Sequence, residues 1–222
     1  PSLALLLREL AKIDGIRWIR LHYLYPEIID DELIDLIANE DKIVKYLDIP
    51  IQHISDHLLK SMHRRGTGEE IRALFRKLRE RIPGLVLRTS LIAGFPGETE
   101  DEFAQSLAFI RKCGFAEMHI FPYSRRPGTP ADKMPGQHGN AVKEARSRAA
   151  IAVAEEMSHA YREALVASVQ SVLFESVEDG LFTGHAPNYV KVYVPGEGLH
   201  NQVRRVRITG LCKDGLTGSL EP

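Results

Sequence analysis

The sequence predicts an α/β fold in two parts, a parallel sheet built from strand–helix units and then a small antiparallel barrel. Three observations carry this reading. Strand-like apolar runs alternate with capped helical segments through the first half, as parallel βαβ units with right-handed crossovers require. The stretch Leu87-Arg-Thr-Ser-Leu-Ile-Ala-Gly-Phe-Pro-Gly-Glu-Thr-Glu-Asp-Glu-Phe103 runs from a buried strand through a Gly/Pro turn into a capped helix. In the last quarter, five short alternating segments follow one another between turn residues.

A first helix opens the chain at once, and Ile16 to Leu24 is the first strand, ending before Pro26. Asp30 caps a helix carrying Leu33, Leu36 and Ile37 on one face. Tyr46 to Ile51 is the second strand, followed by a short helix with Leu58, Leu59 and Met62. Thr67-Gly-Glu-Glu70 is a capping box, after which Ile71, Leu74, Phe75 and Leu78 recur at helical spacing. Leu85 to Ala93 is near-continuously apolar, as suits a parallel strand covered on both faces. A second capping box, Thr99-Glu-Asp-Glu102, starts a helix with Phe103, Leu107 and Ile110 inward, and Met118 to Tyr123 is the fourth strand. Four strands do not close a barrel, so this is an open sheet or the later part of a larger barrel.

Ser124 to Gly139 reads as a Pro/Gly-rich loop, and a long helix from Asn140 to Ala164 follows, with Val142, Ala145, Ala149, Val153 and Ala160 along one side. The strands Val169–Glu175, Gly180–His185, Val190–Val194, Val203–Ile208 and Gly215–Leu220 then suggest an OB-like barrel. The division is therefore 1–139 for the sheet part, 140–164 for a connecting helix and 165–222 for the small barrel.

With 222 residues, 44% of them hydrophobic, the chain can bury a core of its own. No apolar run reaches the roughly 18–20 residues that cross a bilayer, and no signal peptide is present, so no membrane partner is expected. The start on Pro1 reads as that of a fragment. Two distant cysteines, Cys113 and Cys212, make no Cys-x-x-Cys pair and suit a reducing cytoplasm, where we expect a monomer. Net charge is −1, which argues against a global basic field. Locally, Ser124 to Arg148 holds six basic residues (Arg125, Arg126, Lys133, Lys143, Arg146, Arg148) against Asp132 and Glu144, either a solvated face or a contact for a polyanion.

Each motif has a functional and a plain structural reading. In Gly94-Phe-Pro-Gly-Glu98, Gly94 and Gly97 would let backbone approach a ligand while Pro96 stiffens the turn; alternatively this is an ordinary strand-to-helix turn whose acidic residues favour the helix start. Gln52 ends a strand at the same mouth. His53, His57 and His63 invite a metal, but no carboxylate completes a ligand pattern and core or surface histidines fit better. Arg88 sits in an apolar strand and needs an anion, either a ligand carboxylate or Asp48. If the strands of Lys191 and Tyr193 and of Arg205 and Arg207 pair, one barrel face mixes cations with an aromatic ring, the mixture that grips phosphates and stacks bases.

These residues resemble the methylthiotransferases of the radical S-adenosylmethionine superfamily, the MiaB, MtaB and RimO group, over essentially the full length. The carriers are Tyr46-Leu-Asp-Ile-Pro-Ile-Gln-His53, Leu87 to Phe103, His119-Ile-Phe-Pro-Tyr-Ser-Arg-Arg-Pro-Gly-Thr-Pro130 and Gly184-His-Ala-Pro-Asn-Tyr-Val-Lys-Val-Tyr-Val194. The resemblance implies the C-terminal part of a (β/α)6 partial barrel followed by a TRAM domain. It implies S-adenosylmethionine as cofactor near Gln52, Arg88, Gly94, Pro96, Gly97 and Glu98, and RNA contacts at Arg125, Arg126, Lys191, Tyr193, Arg205 and Arg207. It also implies two 4Fe–4S clusters, each held by three cysteines, which Cys113 and Cys212 cannot supply. The chain alone is therefore expected to be inactive. Lys12-Ile-Asp-Gly-Ile-Arg-Trp-Ile-Arg20 and the Gln52-His53 segment look like RimO, which modifies an aspartate of a small-subunit ribosomal protein. From His119 onward the chain looks more like MtaB, which modifies threonylcarbamoyl-adenosine beside the tRNA anticodon. On balance the sequence favours tRNA, with the ribosomal protein and a non-enzymatic RNA-binding remnant as alternatives.

Overall fold

A computed structural model describes residues 2–222. The first helix, α1 (Leu3–Ala11), is capped by the Ser2 side chain, and β1 (Ile19–Leu21) follows. β1 is shorter than the apolar run because Tyr23 turns the chain at φ 58° and Pro26–Ile28 forms a single 3-10 turn. Asp30 caps α2 (Asp31–Asn39), accepting the Leu33 N–H at 2.8 Å.

The second strand, β2 (Ile43–Asp48), starts earlier than its hydrophobic pattern suggests. Lys45 interrupts that pattern, but its ammonium donates to the carbonyls of Ile37 and, at 3.0 Å, Glu40 at the end of α2. A cation against helix-terminal carbonyls is well placed, so the strand tolerates it. After α3 (Asp56–Ser61), both expected capping boxes are present, on α4 (Gly68–Arg81) and α5 (Glu100–Cys113), with β3 (Val86–Ala93) between them.

With β4 (Glu117–Pro122) these strands form one parallel sheet in the order β1-β2-β3-β4. Helices cover one face, over a core of Leu33, Ile37, Leu47, Leu78, Leu87 and Ile110. The opposite face carries Asp48, Arg88 and Ser90, and the register aligns Asp48 with Arg88, Arg88 with Glu117 and Ser90 with His119.

The long helix α6 (Asn140–Glu163) buries a different side from the one its alanines suggest. Lys143, Arg146, Ser147, Ala150, Val153 and Ala154 face inward, while Val142, Ala145, Ala149 and Ala160 are exposed. Two charged residues belong to the buried stripe because each finds a special environment, described below.

The last five strands, β5 (Val169–Glu178), β6 (Leu181–His185), β7 (Lys191–Val194), β8 (Val203–Cys212) and β9 (Gly215–Leu220), close into a barrel in the order β5-β6-β7-β9-β8. Its core is Val172, Phe174, Val192, Val206, Ile208 and Leu216. One of its ladders is parallel: β7 pairs with β9 in that sense. β7 and β8 are therefore not neighbours, and the conditional pairing of the Lys191–Tyr193 strand with the Arg205–Arg207 strand does not occur. The barrel docks on the sheet through Arg20, which donates to Ala186 O at 3.1 Å and lies 4.5 Å over the Tyr189 ring. Tyr189 in turn packs edge-on against Tyr46 and His22.

Candidate functional site

The turn after β3 is held by one buried carboxylate. Glu98, 1% exposed, accepts the Gly94 N–H at 2.7 Å and the Arg146 guanidinium at 2.7 Å. Its other oxygen lies 3.0 Å from Nε2 of His53, which is fully buried. Because the Ser55 N–H donates to Nδ1 of that ring at 3.0 Å, Nδ1 carries no hydrogen and Nε2–H donates to Glu98. Arg146 also donates to the Glu98 carbonyl at 2.9 Å and to Glu100 at 2.5 Å. Next to this cluster, burial would raise the Glu102 carboxyl. Hydrogen bonds from Ser55, Thr99 and His57 overcome that and lower it to about 2.

The turn's own amides are engaged as well. Gly97 N–H donates to Gly136 O at 3.0 Å and Glu98 N–H to Phe95 O at 3.0 Å. Gly94, at φ 76°, admits not a ligand but α6: a Cβ there would lie 2.5 Å from Cγ of Lys143. Gly94, Pro96, Gly97 and Glu98 thus form a braced wall, and Pro96 is buried within it. Glu98 faces the interior.

The face of the sheet that carries Asp48 and Arg88 is arranged differently. Arg88 donates to Asp48 at 2.8 Å, the structural partner the sequence offered, and its Nε lies 3.7 Å from Glu117. Nδ1 of His22 is 3.7 Å from the same Asp48 oxygen. Burial by itself would lower the Arg88 pKa, but Glu117, Tyr46 and Asp48 hold it above its usual value. Burial likewise pushes the Tyr46 phenol up. Among the described residues, the Tyr46 hydroxyl, Asp48 Oδ1 and Arg88 Nε are buried without a hydrogen-bond partner. Gln52, at φ 66°, bridges to Leu91 and borders a cavity of about 370 Å³ lined by Met62, Arg64, Ile92, Phe95 and Met134. His119 stacks on Phe121 beside this face, both about half exposed.

The expected RNA contacts are scattered. Arg125 pairs with Asp132 at 2.9 Å, while Arg126 is exposed. Lys143 and Arg146 are buried, so the basic stretch presents fewer charges to solvent than its count suggests. Tyr193 is 1% exposed; its hydroxyl bonds Asp214 and its ring lies between Lys191 at 5.0 Å and Lys213 at 5.1 Å. No base can stack on it as placed. Lys191 pairs with Glu178 at 2.8 Å and Arg207 with Glu221 at 2.7 Å, while Arg205 is exposed.

Tyr189, Arg20 and the inward-facing Lys143 and Arg146 are the residues that sequence reasoning missed. The stripe Lys143, Arg146, Ala150, Val153, Met157 has helical spacing and would have revealed the last two had charged residues been admitted to it. Burial pushes the Cys113 thiol up to about 11, and Cys212 lies in the small barrel. Among the described residues no three His, Cys, Asp or Glu side chains are grouped to hold a metal ion.

The pattern of the Radical SAM superfamily matches residues 1–110. The chain is similar to the ribosomal protein uS12 methylthiotransferase RimO of Geotalea uraniireducens, with 42% identity over 100% of this chain and 51% of that protein. RimO of Lachnoclostridium phytofermentans is 44% identical over 97% of this chain and 51% of its own length. RimO of Acetivibrio thermocellus reaches 49% over 80% and 39%. The chain thus spans about half the length of the curated relatives it matches. Likeness to RimO runs over the whole chain, including the region after His119, where the sequence motifs suggest MtaB instead. Among solved structures, the radical SAM enzyme coproporphyrinogen III oxidase (HemN) of Escherichia coli covers 83% of this chain and 50% of its own with a TM-score of 0.54 and 17% identity, a likeness of fold.

Proposed function

We propose, for a chain that belongs to the methylthiotransferase family of the radical SAM superfamily, a role in methylthiolating an aspartate of ribosomal protein uS12. The observation that carries this reading is the 42% identity to a uS12 methylthiotransferase along the whole chain, small barrel included. It favours the ribosomal protein over tRNA, and the pairing of Arg125, Lys191 and Arg207 with acidic residues points the same way. A ribosomal substrate is met in the cytoplasm.

In this reading the sheet face that carries Asp48 and Arg88 holds S-adenosylmethionine, which supplies the family's radical chemistry when bound. The unpartnered Asp48 Oδ1, Arg88 Nε and Tyr46 hydroxyl fit a zwitterionic, hydroxyl-bearing ligand, since buried polar atoms are otherwise costly to leave unpaired. Gln52 borders the same face, and the Gly94–Glu98 wall fixes the end of β3. The small barrel, as a TRAM domain, meets the substrate. The cysteines present do not fit an iron–sulfur cluster: Cys113 is held as a thiol and Cys212 lies on the other unit. We infer no cleavage of S-adenosylmethionine by these residues alone; turnover by the isolated chain with added iron and sulfide would sink that inference.

Mass spectrometry of uS12 and of tRNA from a strain lacking the gene tests the substrate. The aspartate of uS12 is expected to lose its methylthio group while tRNA is unchanged. Loss of the tRNA modification instead would restore the other reading.

A further inference from the structure

We propose that the cavity between the end of β4 and the first turn of α6 is a phosphate-binding site centred on Lys143. The cavity measures about 350 Å³ and is lined by Tyr123, Ser124, Arg125, Asn140, Lys143 and Glu144, among others. None of its lining residues lines the cavity beside Gln52.

Three independent features put uncompensated positive charge and open donors there. First, Lys143 is 8% exposed and has no ion-pair or hydrogen-bond partner among the described residues. Its ammonium lies 5.7 Å from the centroid of the Tyr123 ring. A lysine is rarely this buried unless paired. The root of its stem is packed against Gly94, where an added Cβ would lie 2.5 Å from Cγ of Lys143. Second, Lys143 stands in the first turn of a 24-residue helix, at the positive end of its dipole, where a cation is the wrong sign. That helix begins at Gly139 with no side-chain cap, so the N–H groups of Asn140 and Ala141 have no intrahelical acceptor. Third, Tyr123 is 9% exposed and its hydroxyl is unpartnered. Ser124 adds a donor at the rim.

An ammonium, helix N-terminal amides and the Ser124 hydroxyl make the donor set of a phosphate group. Of the two other charged residues of the lining, Arg125 is bound to Asp132 at 2.9 Å, and Glu144 is exposed and lies 3.8 Å from Arg148, so its charge is spread toward solvent. A phosphate can come from free inorganic phosphate or from a nucleotide chain, and the chemistry of the site is the same for both.

The test is an amide-resolved titration of the 222-residue chain with sodium phosphate and with a short RNA oligonucleotide, against sodium acetate at equal ionic strength. Saturating shifts of the Asn140 and Ala141 amides are expected with phosphate and not with acetate. Lys143→Met is expected to weaken binding about tenfold or more, as loss of a charge-assisted hydrogen bond does. It is also expected to melt no lower than the parent without phosphate and to lose the rise in Tm that phosphate gives the parent. Tighter, Lys143-dependent binding of the oligonucleotide would assign the phosphate to a nucleic-acid backbone; a response to inorganic phosphate alone would assign it to the free ion. Absence of saturable shifts, an equal response to acetate, or unchanged binding by Lys143→Met overturns the proposal. If Lys143→Met does not fold, the rim variant Ser124→Ala replaces it, with weaker phosphate binding expected and unchanged binding counting against the site.

Discussion

Glu98 and Asp48 are both carboxylates 1% exposed, and each receives an arginine, at 2.7 and 2.8 Å, yet their surroundings are completed differently. Around Glu98 both oxygens accept, from Gly94, His53 and Arg146. Each arginine leaves its Nε without a hydrogen-bond partner, but around Asp48 one carboxylate oxygen and the neighbouring Tyr46 hydroxyl are also left without one among the described residues. A carboxylate with both oxygens bonded fixes one conformation, whereas one with a free oxygen retains bonding capacity for something else. Asp48 ends β2 and Glu98 stands in the turn after β3, which separates the brace of the mouth from the face it frames.

Substitutions can break this contrast. Glu98→Gln removes the buried one of Arg146's two carboxylate partners, leaving only the exposed Glu100, so a loss of roughly 3 kcal/mol in urea unfolding is expected. A loss below about 1 kcal/mol would show that the cluster is not a brace. Arg88→Met should cost less, about 2 kcal/mol, with much of it recovered in the double variant with Asp48→Asn, because its network is incomplete from the start. The same variant should weaken equilibrium binding of S-adenosylmethionine, which Glu98→Gln affects only through folding. Tyr189→Ala removes the ring over Arg20 and should loosen the small barrel by about 1 kcal/mol, seen as a second step in thermal unfolding. One cooperative transition at the parent's Tm would argue that the docking contact is idle.

The smallest effect concerns acid. The Glu102 pKa is lowered in the folded chain, so its contribution is present above the unfolded value of 4.5 and is lost as pH falls toward about 2. After allowance for solvent screening this is about 1 kcal/mol. Glu102→Gln should therefore destabilise at pH 6 and converge with the parent near pH 2. A constant difference across that range would assign its role to packing.

Local signals in the sequence were reliable where the physics is local. Both capping boxes and Asp30 as a helix cap depend on residues three apart, and all three are present. Periodicity failed where a polar side chain had a non-local partner. Lys45 sits in β2 because the end of α2 receives it, and Arg146 faces inward because Glu98 does. The neighbours of β7 could not be read at all, since closing a barrel places β9 beside β7 and separates it from β8. The candidate ligand face was half legible. Arg88 announced itself as a charge in an apolar strand, but Tyr189 gives no signal that it reaches Tyr46 and His22 on the sheet.

The helix α6 also acts as a gear between the two lobes. Near its start Arg146 grips Glu98, and near its end Arg162 donates to the Asp214 carbonyl of the small barrel at 2.6 Å. Its 24 residues make a rod of about 36 Å at 1.5 Å per residue. Inserting one residue between those anchors would turn the small barrel by about 100° around the rod while moving it little along it. Arg20 would then no longer meet Tyr189. The length of α6 thus sets the phase between the two lobes, and an insertion of seven residues, close to two full turns, should disturb it less than an insertion of two.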